Sequence, residues 1–298
     1  MIRTFSELVQ TAQTRGPRRV AVIAAHEPAT LRAVLQAQEQ GLAECALLCD
    51  PGRLEEVASE QELTLNRVEL IAEPDPRLAA WRAVEMVNAG QADLAMNGLA
   101  HPRYLIEAAL DRERGLRVGK LLTDVSVFEL PDFGRLLLIS DIALVVSPAL
   151  EERVAIVQNA IDVAHRLGIA EPRVAILAAA ETVNPKVPLS RDAADLSKMA
   201  ERGQIKGGIV DGPLGFDNAI SPESAAIKGI NSPVAGRADI LIAPDMEAGN
   251  LLAKTLVCFA RAKMASVIVG GKCPLVMPSR TDPAETKFVS LALGVLVA

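Results

Sequence analysis

Aromatic side chains are scarce in this chain of 298 residues. They make up 3% of it, as six Phe, one Tyr (Tyr104) and one Trp (Trp81). Proteins that bind single-stranded nucleic acid stack the bases on aromatic rings, and contacts with phosphates need a basic surface. The formal net charge is -6, so neither requirement is met. The composition therefore argues against a nucleic-acid partner.

Cysteine is also sparse, with four residues in the chain. Cys45 and Cys49 have a spacing found in zinc fingers, but no second Cys or His pair lies at zinc spacing nearby. We interpret them as thiols buried in an apolar strand and expect a reducing, cytoplasmic setting. The N-terminus lacks a signal-peptide pattern. No apolar run reaches the ~20 residues that a membrane-spanning helix needs, so we expect no membrane partner.

One common catalytic motif and one common cofactor-binding motif are missing as well. The chain has three histidines and no G-x-S-x-G pattern, which argues against a serine hydrolase. No G-x-G-x-x-G follows a strand-like run, so the usual dinucleotide-binding motif is lacking.

Apolar residues are abundant, at 50% of the chain, and can fill a large core. A length of 298 residues suggests about two domains. Strand-like runs at 18–25 and 45–49 flank a segment with helical spacing at 30–40, and this rhythm continues along the chain. The alternation predicts an α/β fold with a parallel sheet and helices on both of its faces.

Two short apolar runs in the stretch 206–254 end in polar, turn-forming residues. Residues 208–210 lead into Asp211-Gly212-Pro213, and residues 240–243 lead into a Pro-Asp pair that includes Asp245. Parallel strands that end in Gly and Asp build ligand crevices at the carboxyl edge of a sheet. We expect these residues in terminal loops, where they either contact a ligand or cap the loop.

Gly249 follows the second run and opens what reads as a helix. Asn250 and Lys254 are one turn apart, so both side chains project from one face of it. The free N–H groups at a helix start suit a phosphate or a carboxylate. The alternative is a surface cap followed by a solvated lysine.

Ser279-Arg280 near the C-terminus is the second candidate for anion binding. A guanidinium beside a hydroxyl can hold a phosphoryl group through several charge-assisted hydrogen bonds. Asp282 is close enough in sequence to orient Arg280 or to act as a base. The alternative is a purely structural salt-bridge corner.

Several carboxylates follow the same strand-like runs and could bind Mg²⁺ or cap loops. They are Asp211, Asp217, Asp245 and Glu247. We favour loop capping.

Four segments together resemble the phosphate acetyl/butyryltransferase family, and within it the butyryl branch. They are DGPLGFDNAIS at 211–221, KGI at 228–230, VAGRADILIAPDMEAGNLLAK at 234–254 and PSR at 278–280. Residues 140–161 and 171–188 fit the family too. The resemblance is dense from about residue 139 onward and looser before it.

The resemblance implies two α/β domains similar to those of isocitrate and isopropylmalate dehydrogenases, with an active-site cleft between them. We expect residues 1–143 with 268–298 in domain I and residues 144–267 in domain II. The implied reaction is acyl-CoA plus phosphate giving acyl phosphate plus CoA, without a metal, a cofactor or a covalent intermediate. Coenzyme A is then a substrate, and the family is usually homodimeric.

The resemblance also assigns roles to residues. Ser279 and Arg280 would bind the phosphate, and Asn250 and Lys254 would line the same cleft. Asp282 is the candidate base. The other residues we expect at the substrate are Gly249, Asp211, Gly212, Pro213 and Asp245.

Two departures from the family pattern leave an alternative function open. Asn97 stands where the butyryl branch has a lysine, and Thr123-Asp124-Val125 stands where it has Ser-His-Val. A protein that kept the fold and binds CoA or acyl phosphate without turnover is therefore the alternative. A metal-dependent dehydrogenase of the same fold is a third reading, and the missing dinucleotide motif argues against it.

Overall fold

A computed structural model describes residues 1–65 and 68–298. In chain order its elements are α1 (Phe5–Gln13), β1 (Arg18–Ile23), α2 (Pro28–Glu39), β2 (Ala43–Cys49), α3 (Pro51–Glu60), β3 (Glu69–Ala72), α4 (Pro76–Asn88), β4 (Leu94–Asn97), α5 (Pro102–Leu110), β5 (Thr123–Glu129), β6 (Leu136–Ser140), α6 (Leu150–Arg166), β7 (Arg173–Leu177), α7 (Pro188–Glu201), β8 (Ile209–Leu214), α8 (Phe216–Ile220), α9 (Pro222–Ile227), β9 (Ile240–Ile242), α10 (Met246–Phe259), β10 (Lys263–Val269), β11 (Leu275–Val276) and α11 (Ala284–Val297). The α/β fold expected from the alternating pattern is confirmed.

The chain divides into two compact units. The Arg280 unit comprises residues 5–120 and 264–298, and the Asn250 unit comprises residues 1–4 and 121–263.

The Arg280 unit contains strands in the order β3-β2-β1-β4-β11-β10. β1, β2, β3, β4 and β11 run parallel to one another, and β10 is antiparallel to β11. The carboxyl ends of β1, β4 and β11 therefore meet at one edge. β1 and β4 are buried, as expected for parallel strands covered on both faces.

Four helices of this unit start in the same way. α2, α3, α4 and α5 each begin with a proline directly after a side chain that accepts backbone N–H bonds, namely Glu27, Asp50, Asp75 or His101. Proline suits the first helical position because it has no N–H to satisfy, and the preceding side chain pairs with N–H groups that the helix leaves free. The sequence thereby places four helix starts beside the carboxyl ends of the strands.

The Asn250 unit contains strands in the order β5-β6-β9-β7-β8. β5 and β6 are antiparallel, and the remaining neighbours are parallel. β6 and β9 are buried along their whole length. α10 follows β9 at the carboxyl edge of this set.

Candidate functional site

The turn that carries Arg280 follows β11 and leads into α11. The backbone N–H of Ser279 donates to Asp282 Oδ2 at 2.8 Å, and the N–H of Asp282 donates to the Ser279 carbonyl at 3.0 Å. The hydroxyls of Ser279 and Thr281 lie 3.0 Å apart. Asp282 thus closes the turn on both sides of Arg280. Whether Asp282 orients Arg280 or acts as a base stays a prediction.

The Arg280 side chain projects from this turn. It is exposed, and no residue in the described ranges forms a hydrogen bond or an ion pair with its guanidinium. Ser279 lies beside it and is partly exposed. A free guanidinium and a hydroxyl on adjacent residues of a closed turn can bind an anion from solution. The structural salt-bridge corner is therefore not what the structure shows.

Two further loops of the Arg280 unit lie next to this turn. β4 pairs with β11, and its loop starts at the buried Asn97, whose Nδ2 donates to the Ala100 carbonyl at 2.8 Å. Gly98 fits there because a Cβ would come within 2.5 Å of the Ala24 carbonyl oxygen. β1 comes next and leads to His26, whose pKa is lowered by burial and by the nearby Arg53. Asn97 is uncharged, so it cannot supply the cation that a lysine would bring here.

An ion pair between a buried lysine and a partly buried glutamate anchors the helix behind the turn. Lys287 of α11 is 1% exposed, and its Nζ donates to Glu27 Oε2 at 2.7 Å and to Thr30 Oγ1 at 3.2 Å. Glu27 also caps α2. Burial would raise the pKa of Glu27, but hydrogen bonds from Lys287 and Thr30 hold it below its usual value. The pair fixes the start of α11, and with it the Ser279–Asp282 turn, against α2.

In the Asn250 unit, α10 begins earlier than the sequence suggested. We expected Gly249 to open the helix, but it starts at Met246 and Asp245 caps it by accepting the Ala248 N–H at 2.8 Å. The N–H of Gly249 bonds the Asp245 carbonyl inside the helix. The expectation was wrong because the glycine was taken as a helix boundary. Gly249 cannot offer a free N–H to an anion.

The glycine at 249 has a packing role instead. A Cβ at this position would lie 2.6 Å from the Asp141 carbonyl oxygen and 3.0 Å from Ala243 Cβ. The next residue, Asn250, donates from Nδ2 to the Ile142 carbonyl at 3.2 Å. Both contacts attach α10 to the loop after β6. Asn250 and Lys254 are exposed and one turn apart, as their spacing predicted.

Asp211-Gly212-Pro213 does not form a terminal loop. All three residues lie within β8, which continues to Leu214. β8 is the last strand of the order in this unit and lies two strands from β9. Proline is tolerated at such a position because an edge strand does not need every N–H. Asp211, Gly212 and Pro213 therefore lie on a strand two positions from β9, the strand that leads into α10.

Two buried carboxyl groups lie on neighbouring elements of the Asn250 unit, Asp124 in β5 and Asp141 directly after β6, and sequence reasoning missed their pairing. Asp141 Oδ2 accepts the backbone N–H of Asp124, and Asp141 Oδ1 accepts those of Ala143 and Leu144, each at 2.8 Å. Asp124 accepts the Ser126 hydroxyl at 2.8 Å. Burial raises the pKa of both, and the charge of Asp141 adds to the effect at Asp124. Because Asp141 receives the N–H donors, we expect Asp124 to hold the proton. In the sequence, the only sign of this pair was that Asp124 and Asp141 are each polar residues next to apolar ones.

Two of the carboxylates expected to cap loops have structural partners. Asp217 pairs with Lys228 at 3.0 Å, as Glu181 does at 2.5 Å, and Asp245 caps α10. Within residues 1–65 and 68–298, no group of three or more His, Cys, Asp or Glu side chains is arranged to hold a metal ion.

Comparison with known proteins assigns this chain to a family. Residues 76–295 match the family described as "Phosphate acetyl/butaryl transferase". The chain belongs to this family. The resemblance inferred from the four motif segments is thereby confirmed.

Full-length relatives agree with the family match. A phosphate butyryltransferase of Clostridium acetobutylicum is 42% identical over 298 residues, covering 100% of this chain and 99% of the relative. A phosphate acetyltransferase of Thermotoga maritima is 44% identical over 294 residues, covering 99% of each chain. Both branches of the family are thus similar to this chain over its whole length.

Solved structures show the same fold. A branched-chain phosphotransacylase from Enterococcus faecalis has a TM-score of 0.83 and 32% identity, covering 94% of this chain and 98% of that one. A putative 4-hydroxythreonine-4-phosphate dehydrogenase from Salmonella typhimurium has a TM-score of 0.58 and 14% identity, covering 95% of this chain and 100% of that one. The second likeness concerns the fold alone.

Proposed function

We propose that this acyltransferase interconverts a short-chain acyl-CoA plus phosphate with acyl phosphate plus CoA. In the direction of CoA acylation, the thiolate attacks the acyl carbonyl, a C–S bond forms, the C–O bond to phosphate breaks, and inorganic phosphate leaves. The observation that carries the proposal is the exposed, unpaired guanidinium of Arg280 on a turn closed by Asp282. It is supported by full-length relatives of both the butyryl and the acetyl branch.

Ser279 and Arg280 are the proposed phosphate-binding side chains. A guanidinium can form two parallel bonds to phosphoryl oxygens, and its charge stabilises the phosphate as it leaves. Asp282 positions the turn through its bond to the Ser279 N–H. Its carboxylate is already committed to that bond, so orientation is the role that the geometry favours for it. Its assignment as the base stays a prediction.

Asn250 and Lys254 are the proposed polar contacts on the Asn250 unit. Both are exposed on α10, while the neighbouring Gly249 is buried against the loop after β6. We assign Gly249 and Asp245 a supporting role, because one allows close packing and the other caps the helix. It stays a prediction that Asp211, Gly212 and Pro213 contact substrate.

A homodimer is the proposed assembly. What supports it is the apolar surface of α10, where Leu251 is 70% exposed and Phe259 is 85% exposed. Large exposed apolar side chains grouped on one element are typical of protein interfaces. Light scattering of the wild type and of Phe259→Ser tests this, since the variant should shift toward monomer. A wild-type mass of one chain would contradict it.

Coenzyme A and phosphate are the proposed substrates, with neither a metal nor a further cofactor, and a cytoplasmic location is proposed with them. The four cysteines are all free thiols, which fits a reducing compartment. None of the helices in the described part of the chain is both long and apolar enough to span a bilayer. The expected domain boundaries, 1–143 with 268–298 and 144–267, stay a prediction.

A thiol-release assay tests the function. The purified chain is mixed with phosphate and a panel of acetyl-, propionyl-, butyryl- and isobutyryl-CoA, and free CoA is titrated with a thiol reagent. Release that requires both phosphate and enzyme is expected with at least one thioester. Binding of CoA without release from any thioester would contradict the proposal and favour the non-catalytic alternative.

A further inference from the structure

The two buried aspartates of the Asn250 unit, which we call the Asp124–Asp141 pair, lie at the edge of the strands where α10 begins. β5 is antiparallel to β6, and Ser126 is the partner of Ile139. The start of β5 therefore lies beside the end of β6. β6 is parallel to β9, which leads into α10, so the pair lies at the same edge as the helix that carries Asn250. Ligands of α/β proteins bind at this edge of the strands.

Both carboxylate oxygens of Asp141 accept hydrogen bonds from the backbone. Oδ2 accepts from the N–H of Asp124, and Oδ1 accepts from those of Ala143 and Leu144, each at 2.8 Å. Only an ionised carboxylate is an acceptor on both sides, because a protonated carboxyl group or an amide presents a donor on one of them. Asp141 therefore holds the loop after β6 in its ionised form.

Asp124 has the opposite requirement. It is 4% exposed, and its Oδ2 accepts the Ser126 hydroxyl at 2.8 Å. Burial and the charge of Asp141 raise the pKa of Asp124. Burial raises the pKa of Asp141 as well, but its backbone N–H donors act in the opposite direction. The pair therefore carries one negative charge, on Asp141, and one proton, on Asp124.

The helices packed against β5 and β6 are α6 and α10. In α6, Asn159 is uncharged, and Arg153 lies 3.3 Å from Asp192 as its ion-pair partner. In α10, Glu247 and Lys254 are exposed to solvent. Within residues 1–65 and 68–298, no cation forms an ion pair with either aspartate of the pair. The charge state of each aspartate therefore depends on the other.

The loop held by Asp141 fixes the side chain of Asn250. The Ile142 carbonyl accepts Asn250 Nδ2 at 3.2 Å, and the Asp141 carbonyl oxygen would lie 2.6 Å from a Cβ on Gly249. The bond to Ile142 sets the orientation of the Asn250 amide and leaves its Oδ1 and one N–H for a substrate. A shift of Asp141 thus reaches Asn250 through one intervening residue.

We propose that Asp141 is a positioning residue for Asn250, and that it acts only while the Asp124–Asp141 pair carries a single negative charge. This inference rests on the proposed function for the role of Asn250 at the substrate. When the proton of Asp124 is lost at alkaline pH, two carboxylates lie side by side in the interior. The loop after β6 then moves to separate them, and Asn250 loses its bond to Ile142.

A double-variant cycle tests whether Asp141 acts through Asn250. Asp141→Asn keeps the size of the side chain but presents a donor on one side, so one set of backbone N–H groups loses its acceptor. We expect kcat/KM to fall about tenfold, and Asn250→Ala should cause a similar loss. In Asp141→Asn/Asn250→Ala the two losses should not add. Additive losses would overturn the inference.

Asp239→Asn is the matched control for a general loss of stability. Asp239 is also buried in the Asn250 unit and accepts the Arg173 N–H at 2.9 Å. It precedes β9, at the opposite end of that strand from α10. The control should lower the melting temperature and leave kcat/KM unchanged. An equal fall of kcat/KM in Asp239→Asn would show that Asp141 has no positioning role.

The role of the proton is tested with Asp124→Asn. This variant keeps an acceptor for the Ser126 hydroxyl and cannot acquire the second negative charge. The wild type should lose kcat/KM at alkaline pH as Asp124 ionises, and Asp124→Asn should keep its activity to higher pH. Identical pH profiles for the two proteins would contradict a role for the proton.

A measurement without substrate separates this inference from the proposed function. The ¹³C-labelled side-chain amide carbon of Asn250, assigned by its absence in Asn250→Ala, reports the bond to Ile142 by NMR. Its chemical shift should change at alkaline pH in the wild type and stay constant in Asp124→Asn. This result would support the inference even if no thioester were turned over. Turnover by the wild type with a signal that does not change with pH would overturn the inference and leave the function standing.

Discussion

The α-carbon of Gly249 lies so close to the carbonyl oxygen of Asp141 that a methyl group added to it would come within 2.6 Å of that oxygen. Asp141 also accepts three backbone N–H bonds with its side chain, so its position is fixed. The helix that carries Asn250 and Lys254 is therefore attached to a rigid loop at the single residue type that fits.

Gly249→Ala should destabilise the Asn250 unit by about 1–3 kcal/mol, because the new methyl group meets backbone that cannot move away. Thermal unfolding measures this. Gly52→Ala is the matched control: Gly52 lies in the first turn of α3, and its added Cβ makes only an ordinary 3.4 Å contact. That control should be neutral or slightly stabilising. Equal stability of the two variants would contradict the packing role of Gly249.

Asp282 either orients the turn or acts as the catalytic base, and two variants distinguish these roles. Asn at this position keeps a side-chain oxygen for the Ser279 N–H, whereas Ala removes it. If Asp282 orients the turn, Asp282→Asn should retain most of kcat, and Asp282→Ala should raise KM for phosphate about tenfold.

A base role for Asp282 gives a different pattern. Both variants would then lose kcat to a similar extent. That outcome would contradict the orienting role and support the assignment from the family resemblance.

The Lys287–Glu27 pair should be coupled. Lys287→Met leaves the partly buried carboxylate of Glu27 without its partner, and we expect a loss of about 1–3 kcal/mol in the free energy of unfolding. The double variant Glu27→Gln/Lys287→Met should lose less than the sum of the single variants. Urea unfolding of the four proteins measures the coupling, and additive losses would contradict it.

The pair also predicts a pH dependence. Because the pKa of Glu27 is held below its usual value, its contribution is present above that value and is lost as the pH falls through the lowered pKa. Glu27→Gln should therefore flatten the acid side of the stability curve.

Asp124 should act in the opposite direction. Its pKa is raised by burial and by Asp141, so the folded state binds a proton that the unfolded state releases. Stability should then fall as the pH rises above the usual range for an aspartic acid, by at most about 1.4 kcal/mol per pH unit for one proton. Asp124→Asn keeps an acceptor for Ser126 and should reduce this slope. An unchanged slope would show that Asp124 is ionised in the folded protein.

Local pattern was sufficient for the architecture of this chain. The strand-like run at 45–49 lies within β2, and the helical spacing at 30–40 overlaps α2 as far as its end at Glu39, because apolar periodicity and Gly or Pro breaks reflect burial directly. The sequence also singled out Ser279, Arg280 and Asp282 as candidates, since a guanidinium, a hydroxyl and a carboxylate lie within four consecutive residues, and their roles stay predictions.

The two misplaced features have a common cause. Asp211-Gly212-Pro213 and Gly249 were both read as breaks, because Gly, Pro and Asp usually mark turns. In β8 the proline is tolerated because the strand lies at the end of the strand order. In α10 a glycine is needed because the backbone packs against the Asp141 carbonyl, more than a hundred residues earlier in the chain. Tertiary packing determines the secondary structure at both positions, and a local sequence pattern carries no information about that packing.

The buried ionisable groups could not be predicted for the same reason. Lys287 and Glu27 are 260 residues apart in sequence, and Asp124 and Asp141 are 17 apart on two paired strands or their ends. In the sequence each is only a polar residue near apolar ones. Their pairing follows from strand order and helix packing.

The most direct test of the account is phosphate-dependent release of CoA by the wild type, Arg280→Lys and Arg280→Ala. Because Arg280 is exposed, both variants should fold with the melting temperature of the wild type. We expect Arg280→Ala to lose about 10²–10³ in kcat/KM for phosphate, and Arg280→Lys to recover part of it through its charge but not its paired donors. Wild-type phosphate kinetics in Arg280→Ala would contradict the account.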